Sequence, residues 1–173
     1  GADKRKILVT GNTKFDQTYA EVTPEDLARY KEELGIKDSF PVIVAGSTHP
    51  TEEKALLEAF KEVRKVYPGA RLVIAPRKIA RADEIAKLGR QYGFETGLRS
   101  RLLQIEGERQ RDPLLLIDTI GELGRIYAVG DVVFVGGSLI KHGGHNVLEP
   151  AAHGKPILVG PSMSNFKDSF ALL

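Results

Sequence analysis

Apolar residues along this chain follow two alternating rhythms. Short unbroken runs, Val42-Ile43-Val44-Ala45, Arg71-Leu72-Val73-Ile74-Ala75 and Val132-Val133-Phe134-Val135, read as strands covered on both faces. Between them, apolar positions recur at helical spacing, as at Leu27, Tyr30 and Leu34 and at Leu56, Phe60 and Val63. The first of these helices has a clear start, with Thr23 as cap, Pro24 in the first turn and acids at Glu25 and Asp26. Gly35 is placed to end it. The same reading predicts helices over 51–66 and 81–92, strands over 100–105 and 114–117, a short helix over 120–129, another over 146–153, and a last strand over 156–159. A charged loop, 106–112, separates the two middle strands. Strands alternating with helices predict βαβ units and a mostly parallel sheet, an α/β fold. Ligands of such sheets sit beyond the carboxyl ends of the strands.

Composition narrows the chemistry. The 173 residues allow one domain of ordinary size, and 42% hydrophobic with 28% charged residues is the balance of a soluble globular one. The absence of Cys removes disulfides, thiolate nucleophiles and Cys-based metal sites. A net charge of +2 is too even to argue for nucleic acid. No apolar run is long enough to span a bilayer. The basic residues Lys4, Arg5, Lys6, Arg99, Arg101, Arg109 and Arg111 are mixed with acids and read as solvated surface. The chain begins with Gly1, and its last five residues, Ser169 to Leu173, carry no helix stop, so the sequence reads as a piece of a longer protein.

Every segment with candidate chemistry follows a strand. Gly46-Ser47-Thr48-His49-Pro50 turns from a buried strand into a helix and offers two hydroxyls, with Ser47 or Thr48 as the expected helix cap. It lacks the ending of a Walker loop and the spacing of a dinucleotide loop. Pro76 holds Arg77 above the sheet edge, where a guanidinium suits phosphate or carboxylate. Asp118 or Thr119 is placed to cap the next helix, with Glu122 in its first turn. The strongest segment is Gly136-Gly137-Ser138 followed by Gly143-Gly144-His145-Asn146-Val147-Leu148-Glu149-Pro150. Its two glycine pairs imply a close backbone approach, and Asn146 can open a helix whose amides face an anion. His145 and Glu149, with His142 and His153 nearby, make only a weak metal signal, and no metal ligand or cofactor is assigned. No nucleophile elbow is present.

Taken in order, the segments beginning at Gly11-Asn12-Thr13-Lys14-Phe15-Asp16 and Ala45-Gly46-Ser47-Thr48-His49-Pro50, then Pro76-Arg77, Asp118-Thr119-Ile120-Gly121-Glu122-Leu123, Phe134-Val135-Gly136-Gly137-Ser138-Leu139 and Gly143 to Ala151 resemble the C-terminal half of the 3-deoxy-D-manno-octulosonic acid (Kdo) transferases. The resemblance runs from about Val9 to Lys167. It implies a Rossmann-like three-layer αβα domain over 19–173, the C-terminal domain of a two-domain (GT-B) glycosyltransferase, with 1–18 as linker and first strand. It implies transfer of Kdo from CMP-Kdo to a lipid A precursor at the cytoplasmic face of the bacterial inner membrane. The substrate-binding positions implied are Ser47, Thr48, Pro76, Arg77, Ile120, Gly121, Glu122, Leu123, Gly144, Asn146, Val147, Leu148 and Glu149. The catalytic carboxylate and acceptor site would belong to an N-terminal domain, so this chain alone is expected to be inactive. Lys78, Ile79 and Ala80 depart from the family's usual His-Pro-Glu after Pro76-Arg77, while Arg81 fits. Two other readings stay open: the donor half of a UDP-sugar glycosyltransferase or epimerase, and a non-catalytic Rossmann-like module whose glycines serve only turns.

Overall fold

Buried on both faces, the apolar runs become the strands of one parallel sheet. The computed structural model describes Asp3, Lys6 and residues 22–102 and 112–172. The elements run α1 (Pro24–Glu33), β1 (Val42–Thr48), α2 (Glu52–Val66), β2 (Arg71–Pro76), α3 (Ala82–Gln91), β3 (Thr96–Leu98), α4 (Arg99–Leu102), β4 (Leu114–Leu116), α5 (Leu123–Val129), β5 (Val132–Val135), α6 (Leu148–Ala152), β6 (Ile157–Leu158) and α7 (Lys167–Phe170). The six strands lie in the order β3-β4-β2-β1-β5-β6, every pair parallel. The strand and turn expected before Thr18 lie, apart from Lys6, outside the described residues.

Alternate residues of each strand point to opposite faces, and each face has its own core. Val44, Val73 and Val133 pack with Tyr30 of α1, Leu34 just after it, and Ile126 and Val129 of α5. Leu72, Ile74 and Phe134 pack with Leu57 and Phe60 of α2 and Ile85 of α3. The result is the Rossmann-like three-layer α/β architecture expected.

Several expectations change. Where the strand predicted over 100–105 is described, it is replaced by a helical turn, Arg99–Leu102, after the short strand Thr96–Leu98; residues 103–105 lie outside the described residues. A carboxylate draws this turn in: Asp118 accepts from the Ser100 backbone N–H at 2.8 Å and from its hydroxyl. Asp118 is therefore occupied there rather than capping α5. The helix expected from Ile120 starts only at Leu123, because Gly121 takes the left-handed conformation (φ 87°) and leaves Ile120 88% exposed. The helix expected from Asn146 starts at Leu148, since the Asn146 side chain accepts from the Leu148 N–H and forms a local turn instead.

Arg99 is not a surface residue. It is 3% exposed, donates to Glu122 at 2.9 Å and pairs with Glu33 of α1 at 3.4 Å. Tyr30 also donates to Glu122, at 2.7 Å, and Thr119 does so at 2.9 Å. Glu122 thus ties α1 and α4 to the loop after β4. Burial pushes its carboxyl up, but the bonds from Tyr30, Arg99 and Thr119 outweigh that and hold it below the usual range.

A depressed carboxyl stabilises the fold above its unfolded pKa of about 4.3, and that stability is lost as pH falls through the folded value. Glu122→Gln is expected to cost about 2 kcal/mol in urea unfolding at pH 7, with the deficit shrinking toward pH 3. Glycine substitutions are expected to split in sign. A Cβ on Gly136 would collide with the Ser47 backbone, so Gly136→Ala costs about 3 kcal/mol. A Cβ on Gly124, inside α5, meets open space, so Gly124→Ala stabilises by about 0.5 kcal/mol in the same melts.

Candidate functional site

The loops after β1, β2, β4 and β5 meet at one rim of the sheet, and a cleft of about 350 Å³ opens there. Its walls include Ser47, Pro76, Arg77, Ile120, Gly121 and Leu123, so six of the expected binding residues come together. Ile79, one of the departures from the family pattern, adds apolar surface to the same wall. Arg77 is fixed by its backbone N–H, which donates to the Thr48 carbonyl at 2.9 Å. Its side chain is exposed, and among the described residues no carboxylate pairs with it. An unneutralised guanidinium at the mouth of a cleft suits an anionic ligand.

Ser47 owes its position to a break in register. Gly46 pairs with Ala75 but Thr48 with Pro76, so Ser47 is an extra residue in β1, with φ 54°. Such a bulge turns a side chain out of the strand's alternation. Neither Ser47 nor Thr48 caps α2. The Ser47 side chain hydrogen-bonds the buried Tyr127 hydroxyl, and Thr48 is buried, donating to Glu53 at 2.9 Å. Burial pushes the Tyr127 hydroxyl pKa up, with the Glu149 charge adding to the rise. Glu53 also takes a 2.8 Å ion pair from Arg81, whose family-like identity is thereby a structural one.

The Asn146 segment stands beside the cleft rather than in its wall. Gly144 bonds back to Gly137, just after β5, and Asn146 and Glu149 follow in the same loop and the first turn of α6. Asn146 donates to Glu149 at 3.1 Å and accepts from Leu148 at 3.1 Å, which uses the first amide of α6 internally. Val147 is wholly buried in the core. The glycine pairs do serve close approach, but to the chain itself: Gly136 abuts Ser47 and Thr48, Gly143 abuts Ser164 and Asn165, and Gly144 abuts Met163.

The sequence reading missed two groups. Glu52, 1% exposed, accepts four backbone N–H bonds: from His49 (2.9 Å), Gly137 (2.8 Å), Ser138 (3.1 Å) and Leu139 (3.0 Å). It welds the loop after β1 to the loop after β5. The one signal for it was a carboxylate three residues after His49, the spacing of a capping box. Above it, His49, His142 and His145 converge, with His49 and His145 joined Nε2 to Nε2 at 2.8 Å. Burial, then the neighbouring imidazoles, lower His145 to about 4, and burial lowers His49 as well. Glu149 and His153, considered with His145 from the sequence, lie elsewhere in function: Glu149 bonds Asn146, and His153 bonds the Gly124 carbonyl at 2.9 Å.

No family model matches the chain. It is 35% identical over its full length to the 3-deoxy-D-manno-octulosonic acid transferase of Haemophilus influenzae, covering 39% of that protein. It is 39% identical over 78% of its length to the same enzyme of Aquifex aeolicus, covering 36% of it. The chain thus spans well under half the length of these relatives. Among solved structures, the C-terminal CMP-Kdo binding domain of WaaA from Acinetobacter baumannii matches 85% of this chain and 75% of that one, at TM-score 0.74 and 30% identity. Anabaena HepE in complex with UDP-glucose matches 82% of this chain and 36% of that one, at TM-score 0.55 and 18% identity, which is a likeness of fold. With 35% identity over its full length to one such transferase, and 30% identity at TM-score 0.74 to a domain of which it covers 75%, the protein belongs to the 3-deoxy-D-manno-octulosonic acid transferase family.

Proposed function

We propose that this chain is the donor-binding domain of a Kdo transferase, holding CMP-Kdo while a partner domain presents a lipid A precursor. The observation that carries this reading is the Arg77 guanidinium, which no carboxylate among the described residues pairs, at the mouth of a preformed cleft in a chain related to a CMP-Kdo binding domain. The donor is doubly anionic, with a phosphodiester and a sugar carboxylate. As the bond between the sugar and the phosphate oxygen breaks, negative charge gathers on the departing CMP. Arg77, anchored through its backbone, stabilises that charge without reorganising. Gly121 lets the backbone pass close to the nucleotide, and the exposed Ile120 offers an apolar face to it. Glu149 and Asn146, on the same rim, bind the ribose side. Their mutual hydrogen bond presets both side chains, and it opens to admit a hydroxyl.

Glu122 enters differently from the sequence expectation. Tyr30, Arg99 and Thr119 occupy its oxygens, so it positions the Ile120-Gly121 wall rather than the ligand. The carboxylate that takes the acceptor proton belongs, in this reading, to the N-terminal domain of the whole protein. In the same reading that protein works at the cytoplasmic face of the inner membrane. No described helix of this chain is long and apolar enough to cross a membrane.

Titration of isotope-labelled chain with CMP tests the site. Amide shifts are expected at Gly121, Glu122, Asn146 and Glu149, and Arg77→Ala is expected to weaken CMP about tenfold, or about 1.4 kcal/mol. An unchanged spectrum at millimolar CMP rejects the proposal. Tighter binding of UDP than of CMP transfers the site to a UDP-sugar enzyme.

A further inference from the structure

The geometry points to a three-histidine site for a divalent transition metal at His49, His142 and His145. The chain has four histidines, and three of them converge from two segments: His49 just after β1, and His142 and His145 in the loop between β5 and α6. One ring nitrogen from each lies within 4.8 Å of the others. The rings lie close together, with centroids 4.4 Å apart for His49 and His142, 5.1 Å for His49 and His145, and 4.8 Å for His142 and His145. Zinc–nitrogen bonds of about 2.0 Å at tetrahedral angles separate two ligand nitrogens by about 3.3 Å. The His49–His145 pair, at 2.8 Å, is slightly inside that figure, and the 4.8 Å limit is outside it. A shift of up to about 1.5 Å by the exposed His142 ring closes the set.

The surroundings hold the set in place. Glu52 bonds the His49 backbone and the amides of Gly137, Ser138 and Leu139, so one buried carboxylate fixes the segments that carry His49 and lead to His142. Gly137 (φ 68°) leaves free the space that a Cβ would take from His142 and His145: its position would lie 2.9 Å from the His145 ring and 3.0 Å from His142 Nδ1. Without metal, the 2.8 Å contact requires one Nε2 to donate its proton to the other. An ion there replaces that hydrogen bond, and the donor imidazole keeps its proton on Nδ1 instead. An all-nitrogen set selects zinc-like ions over magnesium or calcium, which prefer oxygen. Three ligands leave at least one coordination position for water or an anionic oxygen. The site stands independently of the CMP reading, since Arg77 and the cleft wall do not require it.

The test is Zn2+ binding to the 173-residue chain, followed by calorimetry and by long-range proton–nitrogen spectra of the imidazoles. One ion per chain is expected, with His49, His142 and His145 signals moving and His153 still. Co2+ is expected to give the intense visible bands of a four-coordinate complex, and Mg2+ no heat. His142→Ala, an exposed change that leaves the core untouched, is expected to weaken Zn2+ at least tenfold, whereas His153→Ala leaves it unchanged. Loss of the Zn2+-dependent rise in melting temperature in His142→Ala alone supports the same assignment. The absence of saturable Zn2+ binding at tens of micromolar (about the strength of a weak three-ligand site), or equal loss in both variants, overturns it.

Discussion

The rim of this domain depends on one buried charge. Glu52 has almost no contact with solvent, and a carboxylate taken out of water is tolerated only when its lone pairs are filled. Four backbone amides fill them, drawn from two loops that are 85 or more residues apart in sequence. The carboxylate is thereby a hub for backbone that has no other strand partner at the sheet's end. The bulge at Ser47, the glycine contact of Gly136 and the three imidazoles all hang on the loops it joins. Apolar packing cannot replace it, because amides at strand ends require acceptors and not hydrocarbon.

A second, half-buried carboxylate does for the other half of the rim what Glu52 does for the first. Glu122 collects a tyrosine, an arginine and a threonine, and so fastens α1 and α4 to the turn that carries Ile120 and Gly121. Tyr30 is held from a further side by Arg125, whose guanidinium lies 4.3 Å from its ring centre. The two cores beneath are ordinary aliphatic layers. Specific geometry therefore resides in a polar layer above the sheet, where Glu52, Glu53 and Glu122 each have named partners.

What the sequence made legible was periodicity. Unbroken runs such as Val132 to Val135 and spaced residues such as Leu56 and Phe60 belong to elements whose type follows from burial alone. The cleft residues Pro76, Arg77 and Gly121 were also legible, because their position after a strand sets their place at the rim. What stayed hidden were partners distant in sequence. Arg99 looked like surface because nothing local reveals Glu122 or Tyr30. The segment after Leu98 looked like a strand because its alternation gave no sign of Asp118. The glycine pairs gave the right physics with the wrong neighbour: close contact was required, and the chain's own 162–165 segment supplies much of it. His49 was read as part of a turn, since no spacing rule links it to His145 across 96 positions.

The odd residue in β1 sets a parity. Up to Gly46 the strand alternates in step with β2, and after Ser47 the alternation resumes one place later. That single offset sends the serine to the cleft and to Tyr127 while Thr48 turns inward to Glu53. Removing one residue from this stretch would reverse the assignment of every side chain from there to Pro50, putting polar groups where the core needs none. The segment can therefore exchange its chemistry by substitution far more readily than it can gain or lose length, and its count of residues is as much a part of the site as their identity.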